Sequence, residues 1–241
     1  MTYCVGLLLN DGMVMLSDTR TNAGLDNIAT YRKMFQFEVP GERIIVILTA
    51  GSLSITQTTI AQLREAIEDP EASPETSILQ APTMLKVAEI IGSTLSRVRA
   101  SVDDKLATMR QGASASLIVG GQRKGGAMRL FLVYPEGNFI EATEDTPFLQ
   151  IGEHKYGKPI LDRVVRPQTS IADGQKAVLL SMDSTLRSNL SVGMPLDLAV
   201  IGRDAMRVTM ARRIEAGDAD FRAMSEAWSN ALRDSFVKVK I

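Results

Sequence analysis

The order of hydrophobic patterns limits the possible folds of this chain more than any other feature of the sequence. Apolar runs of strand length come first, two amphipathic helical segments follow, and the same order is then repeated. Such an order predicts an α+β protein in which two antiparallel sheets pack together, each covered outside by a helix pair. With 241 residues, 45% of them hydrophobic, the chain is predicted to form one domain over residues 1–241.

The first half of the sequence begins with two predicted hairpins. Asn10-Asp11-Gly12 joins the first pair of apolar runs, and such a turn between apolar runs is a strong hairpin signal. The four predicted strands are Tyr3 to Leu9, Met13 to Ser17, Thr30 to Phe37 and Arg43 to Leu48. A helix is then predicted from Ser52 to Glu68, and a second from Pro82, at its first helical position, to Met109.

The second half returns to strands and then to helices. Predicted strands cover residues 115–120, 127–134, 138–142, 148–151, 196–201 and 205–210. Helical segments are predicted near 156–165, from Ser170 to Leu186, and at the end of the chain after Asp218. Ser170 and Asp218 are of the residue types that cap helix N-termini.

Charge and cysteine content exclude several classes of partner. The 27 basic and 28 acidic residues give a net charge of −1, so neither nucleic acid nor an anionic membrane is expected to bind. The single cysteine, Cys4, forbids an internal disulfide and is predicted to be buried in its apolar strand. Because no apolar run approaches the ~20 residues of a membrane helix and no leader is evident, a soluble cytoplasmic protein is expected.

Several familiar catalytic sites cannot be built from this composition. One Cys and one His cannot form a Cys/His zinc site within the chain, and a Ser-His-Asp triad would have to use His154 without a G-x-S-x-G elbow. The glycine-rich segment 120–126 lies between two predicted strands and is therefore predicted to be a hairpin loop. Neither a metal nor a cofactor is expected.

Thr2 directly follows the initiator methionine and opens the first predicted strand. A small second residue permits removal of the methionine, which would leave a threonine with a free α-amine beside its hydroxyl. This pair can act as general base and nucleophile within one residue. The amine has an ordinary pKa of about 7.7 to 8.0, close to working pH. An ordinary first strand is the alternative.

Three further residues follow Thr2 in a suggestive order: Asp18 at the end of the second predicted strand, Lys33 in the third, and Gly51 just before the first helix. This order resembles the proteasome β-subunit family. The opening phrase, Thr2-Tyr3-Cys4-Val5-Gly6 through Ser17-Asp18-Thr19-Arg20-Thr21-Asn22-Ala23-Gly24, is similar to one branch of it, the bacterial ancestral β-subunit Anbu, which is related to the HslV peptidase. The resemblance implies a four-layer αββα sandwich of the N-terminal nucleophile hydrolase type. It also implies that Thr2 is the catalytic nucleophile.

The physical role expected of each matching residue is simple. Lys33 would stabilise an alkoxide on Thr2 and keep the α-amine neutral, and Asp18 would hold the lysine ammonium in place. The backbone N–H of Gly51 would stabilise the oxyanion, an effect worth roughly 10² to 10³ in rate. Taken singly, the lysine could be a solvated strand residue, the aspartate a turn residue and the glycine a helix cap.

Two places depart from the family pattern. A serine follows the Ile-Gly turn in proteasomes, whereas Ile151-Gly152 is followed here by Glu153, whose carboxylate would favour the protonated terminal amine. The family element Asp-x-x-Ser-x-Gly keeps Ser191, but Ser188 replaces its aspartate. The expected catalytic set is therefore Thr2, Asp18, Lys33, Gly51 and Ser191, with variant positions Glu153 and Ser188.

Two functions are compatible with these features. The first is a threonine hydrolase that cleaves peptide or other amide bonds, and the second is a proteasome-like scaffold that works with amide-forming or transglutaminase-like enzymes. The resemblance also implies assembly of identical subunits into a ring, a double ring or an open spiral. His154 and Lys155 are weak candidates for a subunit interface, since a surface histidine at a helix start is the simpler interpretation.

Overall fold

Two five-stranded antiparallel sheets form the body of the protein, which a computed structural model describes over residues 2–22, 28–106 and 113–240. The first sheet has the order β10, β1, β2, β11 and β12, with bounds Phe148–Gly152, Tyr3–Leu9, Gly12–Asp18, Leu196–Gly202 and Met210–Ile214. The second has the order β5, β6, β7, β8 and β9, with bounds Met34–Val39, Arg43–Gly51, Ala115–Arg123, Arg129–Val133 and Phe139–Glu141. A separate hairpin pairs β3, Arg20–Asn22, with β4, Ile28–Thr30.

Helices cover the outer face of each sheet. Helices α1, Leu53–Glu68, and α2, Met84–Leu106, share one buried core with the second sheet. Helices α3, Lys158–Val164, and α4, Ile171–Ser188, share another with the first sheet. A third core lies between the sheets, and Cys4 is fully buried in it as predicted. These layers confirm the predicted four-layer αββα sandwich.

The last helix, α5, covers Ala219–Lys238 and follows β12. Both predicted N-caps are present, because Ser170 Oγ accepts a hydrogen bond from Asp173 N at 3.1 Å and Asp218 Oδ1 accepts one from Phe221 N at 2.9 Å. Such caps satisfy amide groups that the first turn of a helix leaves free. The hairpin loop predicted over residues 120–126 is wrong in its first half, because Gly120 and Gly121 lie within β7 and pair with β6 and β8, so that the turn begins only after Arg123.

Helix α2 begins later than predicted. Thr83, and not Pro82, precedes the first turn, since Thr83 Oγ1 accepts a hydrogen bond from Lys86 N at 3.0 Å. Its predicted end at Met109 lies outside the described residues.

The strand predicted at residues 205–210 is wrong. The chain turns there, with positive φ angles of 61° at Asp204 and 51° at Met206, and the strand begins only at Met210. Gln122 fixes this turn from the other sheet, because its amide oxygen accepts from Asp204 N at 2.9 Å and its Nε2 donates to Asp204 Oδ1 at 2.7 Å. A contact between distant segments therefore overrides the local apolar pattern.

Candidate active site

Thr2 directly precedes β1 and is 7% exposed. Its carbonyl oxygen accepts a hydrogen bond from Glu153 N at 2.8 Å, just after β10. Gly152 makes this approach possible, since it has φ +80° and an added Cβ would lie 1.9 Å from the same oxygen. Side chains alternate along a strand, so Thr2 shares the face of Cys4, which packs between the two sheets. Met1 lies outside the described residues.

Asp18 ends β2 beside this segment and is fully buried. Its Oδ1 accepts hydrogen bonds from Tyr3 N at 3.2 Å and from Lys33 Nζ at 2.8 Å. Its Oδ2 accepts from Gly193 N at 3.3 Å. One carboxylate therefore joins the residue after Thr2, the lysine and the loop before β11.

Lys33 reaches this carboxylate from the connection between the two sheets. The third strand predicted over Thr30 to Phe37 is wrong in this respect, because β4 ends at Thr30 and β5 begins only at Met34. The chain crosses over between these strands, where Tyr31 N donates to Thr19 O at 2.9 Å and Lys33 O accepts from Thr49 N at 2.9 Å. Lys33 thus lies just before a strand, not within one.

The ammonium of Lys33 is buried and held at two points. In addition to Asp18, it donates to Arg20 O at 2.5 Å, and its side chain is 6% exposed. Burial raises the pKa of Asp18, against the lowering effect of Lys33 and of the amides of Tyr3 and Gly193. Donors that converge in this way favour the ionised carboxylate. The lysine charge is therefore fixed close to the start of β1.

Gly51 ends β6 at the same end of the sandwich. The Cys4 thiol donates a hydrogen bond to Thr49 O at 3.6 Å, so β1 and β6 contact each other there. Gly51 lies two residues after Thr49 and Thr2 lies two residues before Cys4, so both lie beyond this contact. Gly51 has φ +107°, and an added Cβ would approach Ser114 O to 2.3 Å. Only glycine fits this position, since another residue would be strained and would collide with backbone.

The segment from Ser188 to Gly193 contacts the site mainly through its glycine. Ser188 is the exposed last residue of α4, while Ser191 is half-buried and its N donates to Asn189 Oδ1 at 2.9 Å. Gly193 packs against Arg20, because an added Cβ would lie 2.2 Å from Arg20 Nε. The structure therefore brings Thr2, Asp18, Lys33 and Gly51 to one end of the sandwich, whereas Ser188 lies on the surface.

Glu153 is half-buried and follows Gly152 directly. Its backbone amide, described above, lies beside Thr2, while the predicted effect of its carboxylate on the terminal amine stays a prediction. His154 and Lys155 are exposed in a short 3₁₀ turn, His154–Tyr156. Their proposed part in an interface stays a prediction.

Tyr3 supports the site in a way that the sequence did not indicate. Its fully buried hydroxyl shares a hydrogen bond with Ser181 Oγ at 2.6 Å and accepts one from Gln150 Nε2 at 2.5 Å. Ser181 belongs to α4 and Gln150 to β10, so both ends of Tyr3 are fixed while Thr2 lies next to it. The only signal in the sequence was a tyrosine in an otherwise aliphatic strand.

Within residues 2–22, 28–106 and 113–240, no group of three or more acidic, His or Cys side chains is arranged to hold a metal ion. Helices of sufficient length and apolarity to cross a bilayer are likewise lacking in this part of the chain.

Comparison with known proteins identifies the family. A family model described as "Proteasome subunit" matches residues 2–201. No curated protein matches the chain in sequence.

Three solved structures are similar over the whole chain. The Anbu (Gly-1) mutant from Hyphomicrobium sp. strain MC1 is 48% identical, with a TM-score of 0.93, and the match covers 100% of this chain and 99% of that one. Anbu from Yersinia bercovieri is 41% identical, with a TM-score of 0.92 and the same coverage. A structure described as the helical assembly of the Anbu complex from Pseudomonas aeruginosa is 45% identical, with a TM-score of 0.93 and coverage of 100% and 98%. The chain therefore belongs to the proteasome subunit family, and its full-length likeness is to Anbu proteins.

Proposed function

We propose that the chain is a threonine-type hydrolase that cleaves peptide or other amide bonds once Met1 is removed. The observation that carries this proposal is the shared acceptor Asp18 Oδ1, which binds both Lys33 Nζ and the backbone amide that follows Thr2. A buried lysine fixed beside an N-terminal threonine supplies the positive charge that an alkoxide needs.

The proposed reaction has two steps. The α-amine of Thr2 accepts the hydroxyl proton while Thr2 Oγ attacks the carbonyl carbon, and the Gly51 N–H stabilises the tetrahedral oxyanion. The leaving amine takes the proton, and an ester forms on Thr2. Water, activated by the same α-amine, then hydrolyses the ester and restores the free threonine.

Two half-buried side chains would tune this chemistry. The carboxylate of Glu153, which follows Gly152 directly, would favour the protonated form of the α-amine. Ser191 belongs to the same segment as Gly193, whose amide donates a hydrogen bond to Asp18. Its side chain would help to position the α-amine of Thr2. Ser188 is exposed on the surface and therefore does not replace the family aspartate at the site. Because the site differs from that of proteasomes at this position, we expect its amide substrate to differ as well.

The protein is also proposed to act as a homo-oligomer. One of the similar Anbu structures is described as a helical assembly, which favours repeated contacts between identical subunits. We propose a ring, a double ring or an open spiral of this chain around its substrate.

Covalent labelling tests the hydrolase directly. A β-lactone acylates nucleophilic hydroxyl groups, so the Met1-free protein should gain one adduct by intact mass, and Thr2→Ala should gain none. An equal mass gain in Thr2→Ala would contradict the proposal. No gain in the Met1-free wild type would also contradict it, and would favour the scaffold function with amide-forming or transglutaminase-like partner enzymes.

A further inference from the structure

A cavity of about 210 Å³ opens between the edges of the two sheets, where β12 ends the first sheet and β5 ends the second. Met34 of β5, Asp197 of β11, and Arg212 and Arg213 of β12 line it, together with Arg32 from the connection before β5. The lining contains three arginines and one acidic residue. The proposed hydrolysis uses none of these side chains.

Asp197 has acceptor capacity that the described parts of the chain do not use. Its Oδ1 accepts a hydrogen bond from Arg213 Nη1 at 3.2 Å, but its Oδ2 is buried without a hydrogen-bond partner among the described residues. Its register partner on β2, Ser17, supplies none, since the buried Oγ of that serine is itself unpartnered there. A buried acceptor without a donor destabilises the folded state. A ligand that brings a donor would therefore be bound favourably.

The Asp197 carboxylate can reach such a ligand. Its side chain lines the cavity and is 15% exposed. The terminal torsion of an aspartate is soft, so a small rotation presents either oxygen to the cavity.

Arg32 supplies the opposite charge in the same cavity. It is exposed and, within the described ranges, makes no hydrogen bond or ion pair. Burial raises the pKa of Asp197, whereas Arg213 and then Arg32 lower it, so Arg32 lies near this carboxylate. Arg212 and Arg213 are already paired with Asp218 and Asp197. Of these three arginines, Arg32 is therefore the one available to an anionic ligand.

These two groups define the chemistry of the ligand. A guanidinium binds a carboxylate through two parallel hydrogen bonds, and an ammonium offers three donors to a carboxylate such as Asp197. An α-amino acid carries both charges on one carbon atom. A simple anion would leave Asp197 without a donor, and either terminus of a peptide supplies only one of the two charges.

The remaining wall of the cavity is apolar. Met34 belongs to the buried core between the sheets, and Leu198 and Ala211 also line the cavity. Small-molecule sites combine such walls with a few convergent polar groups. This wall fits an aliphatic side chain of moderate size.

We propose that the cavity binds a free α-amino acid with an aliphatic side chain, its carboxylate on Arg32 and its ammonium on Asp197. The inference goes beyond the proposed function, because it needs neither acylation of Thr2 nor assembly of subunits.

The site lies next to the buried ion pair of the candidate active site. Arg32 directly precedes Lys33, and Asp197 pairs with Ser17, which directly precedes Asp18. A bound amino acid would bridge the segments that carry Lys33 and Asp18. Because it binds the folded chain, it would also raise the stability of the fold by mass action.

Isothermal titration calorimetry with L-leucine tests the binding on the whole chain. One saturable site per chain is expected. N-acetyl-L-leucine lacks the ammonium and L-leucinamide lacks the carboxylate, so each should bind at least about tenfold more weakly. Glycine keeps both charges without the apolar contact and should also bind more weakly than leucine.

Variants identify the cavity as the binding site. Arg32→Gln and Asp197→Asn should each weaken leucine binding at least about tenfold. Arg207→Gln, an exposed arginine in the connection between β11 and β12 and outside the cavity lining, should leave the affinity unchanged. Arg32 is exposed, and the asparagine keeps an acceptor for Arg213, so urea unfolding should show that both variants fold. Leucine should raise the thermal unfolding midpoint of the wild type but not that of Arg32→Gln.

Three results would overturn the inference. The first is no binding of leucine to the folded wild type. The second is equal binding of N-acetyl-L-leucine, which would indicate a site for anions in general. The third is unchanged leucine affinity in Arg32→Gln and Asp197→Asn, which would place the binding elsewhere. Acylation of Thr2 is measured separately, so none of these results contradicts the hydrolase.

Discussion

The end of the sandwich that contains Thr2, here called the threonine end, differs from the second half of α5 in how its side chains are surrounded. At the threonine end, a fully buried carboxylate binds a lysine and two backbone amides within one copy. Along residues 230–240, apolar side chains face solvent. The difference teaches that a single copy can preorganise the candidate site, whereas it leaves the apolar side chains in the second half of α5 exposed to solvent.

Removal of the Lys33 charge should have the largest effect on the stability of the threonine end. Lys33→Met leaves the Asp18 carboxylate buried without its ionic partner, and loss of one member of a buried ion pair costs about 3–5 kcal/mol. Chemical unfolding measures the loss in free energy, and acylation of Thr2 should fall with it. Lys238→Met, on exposed α5, should change stability by less than about 0.5 kcal/mol. Equal losses in the free energy of unfolding for Lys33→Met and Lys238→Met would contradict the difference between the threonine end and the second half of α5.

A methyl group at Gly152 should have the next largest effect. Its Cβ would lie 1.9 Å from Thr2 O, in addition to the strain of φ +80°, so Gly152→Ala should cost about 3 kcal/mol or more and displace Thr2. Gly125 has a similar φ of +71° with no atom within 4 Å of the added Cβ. Gly125→Ala should therefore cost only about 1 kcal/mol, and urea unfolding of both variants separates collision from strain.

Loss of the buried tyrosine hydroxyl should have a smaller effect. Tyr3→Phe leaves Gln150 Nε2 and Ser181 Oγ without their shared partner, which costs about 1–3 kcal/mol. Tyr31→Phe is the matched control, since Tyr31 is 39% exposed and should lose almost nothing. A difference of less than about 0.5 kcal/mol between the two would show that the buried hydroxyl does not stabilise the threonine end.

The smallest expected effect is a dependence on alkaline pH. Burial raises the pKa of the Cys4 thiol far above its ordinary value, with a further increase from Asp18. Above pH ~8.5, the usual thiol value, only the unfolded chain releases this proton, so the folded state loses stability as the pH rises. Cys4→Ala should flatten this dependence between pH 8 and pH 10, and a thiol reagent should label wild-type Cys4 only after unfolding.

Local patterns predicted the layers of the fold well, because the central strands are buried on both faces and therefore appear as apolar runs, whereas the helices of the outer layers bury one face. Alternation and helical spacing could not predict the break at residues 31–33 or the turn at Asp204, which depend on hydrogen bonds between distant segments. For the site, the sequence supplied Thr2, Asp18, Lys33 and Gly51 as an order only. Their meeting at one end of the sandwich and the anchoring of Tyr3 depend on the packing of both sheets, which no single segment encodes.

The most direct test of the account compares two forms of the wild type in one sample. Incomplete removal of Met1 gives a mixture, and the β-lactone is added before peptide mapping by mass spectrometry. The account predicts an adduct on Thr2 in the Met1-free peptide and none in the peptide that retains Met1, because only the former has the free α-amine. Equal labelling of the two peptides, or no labelling of either, would contradict it.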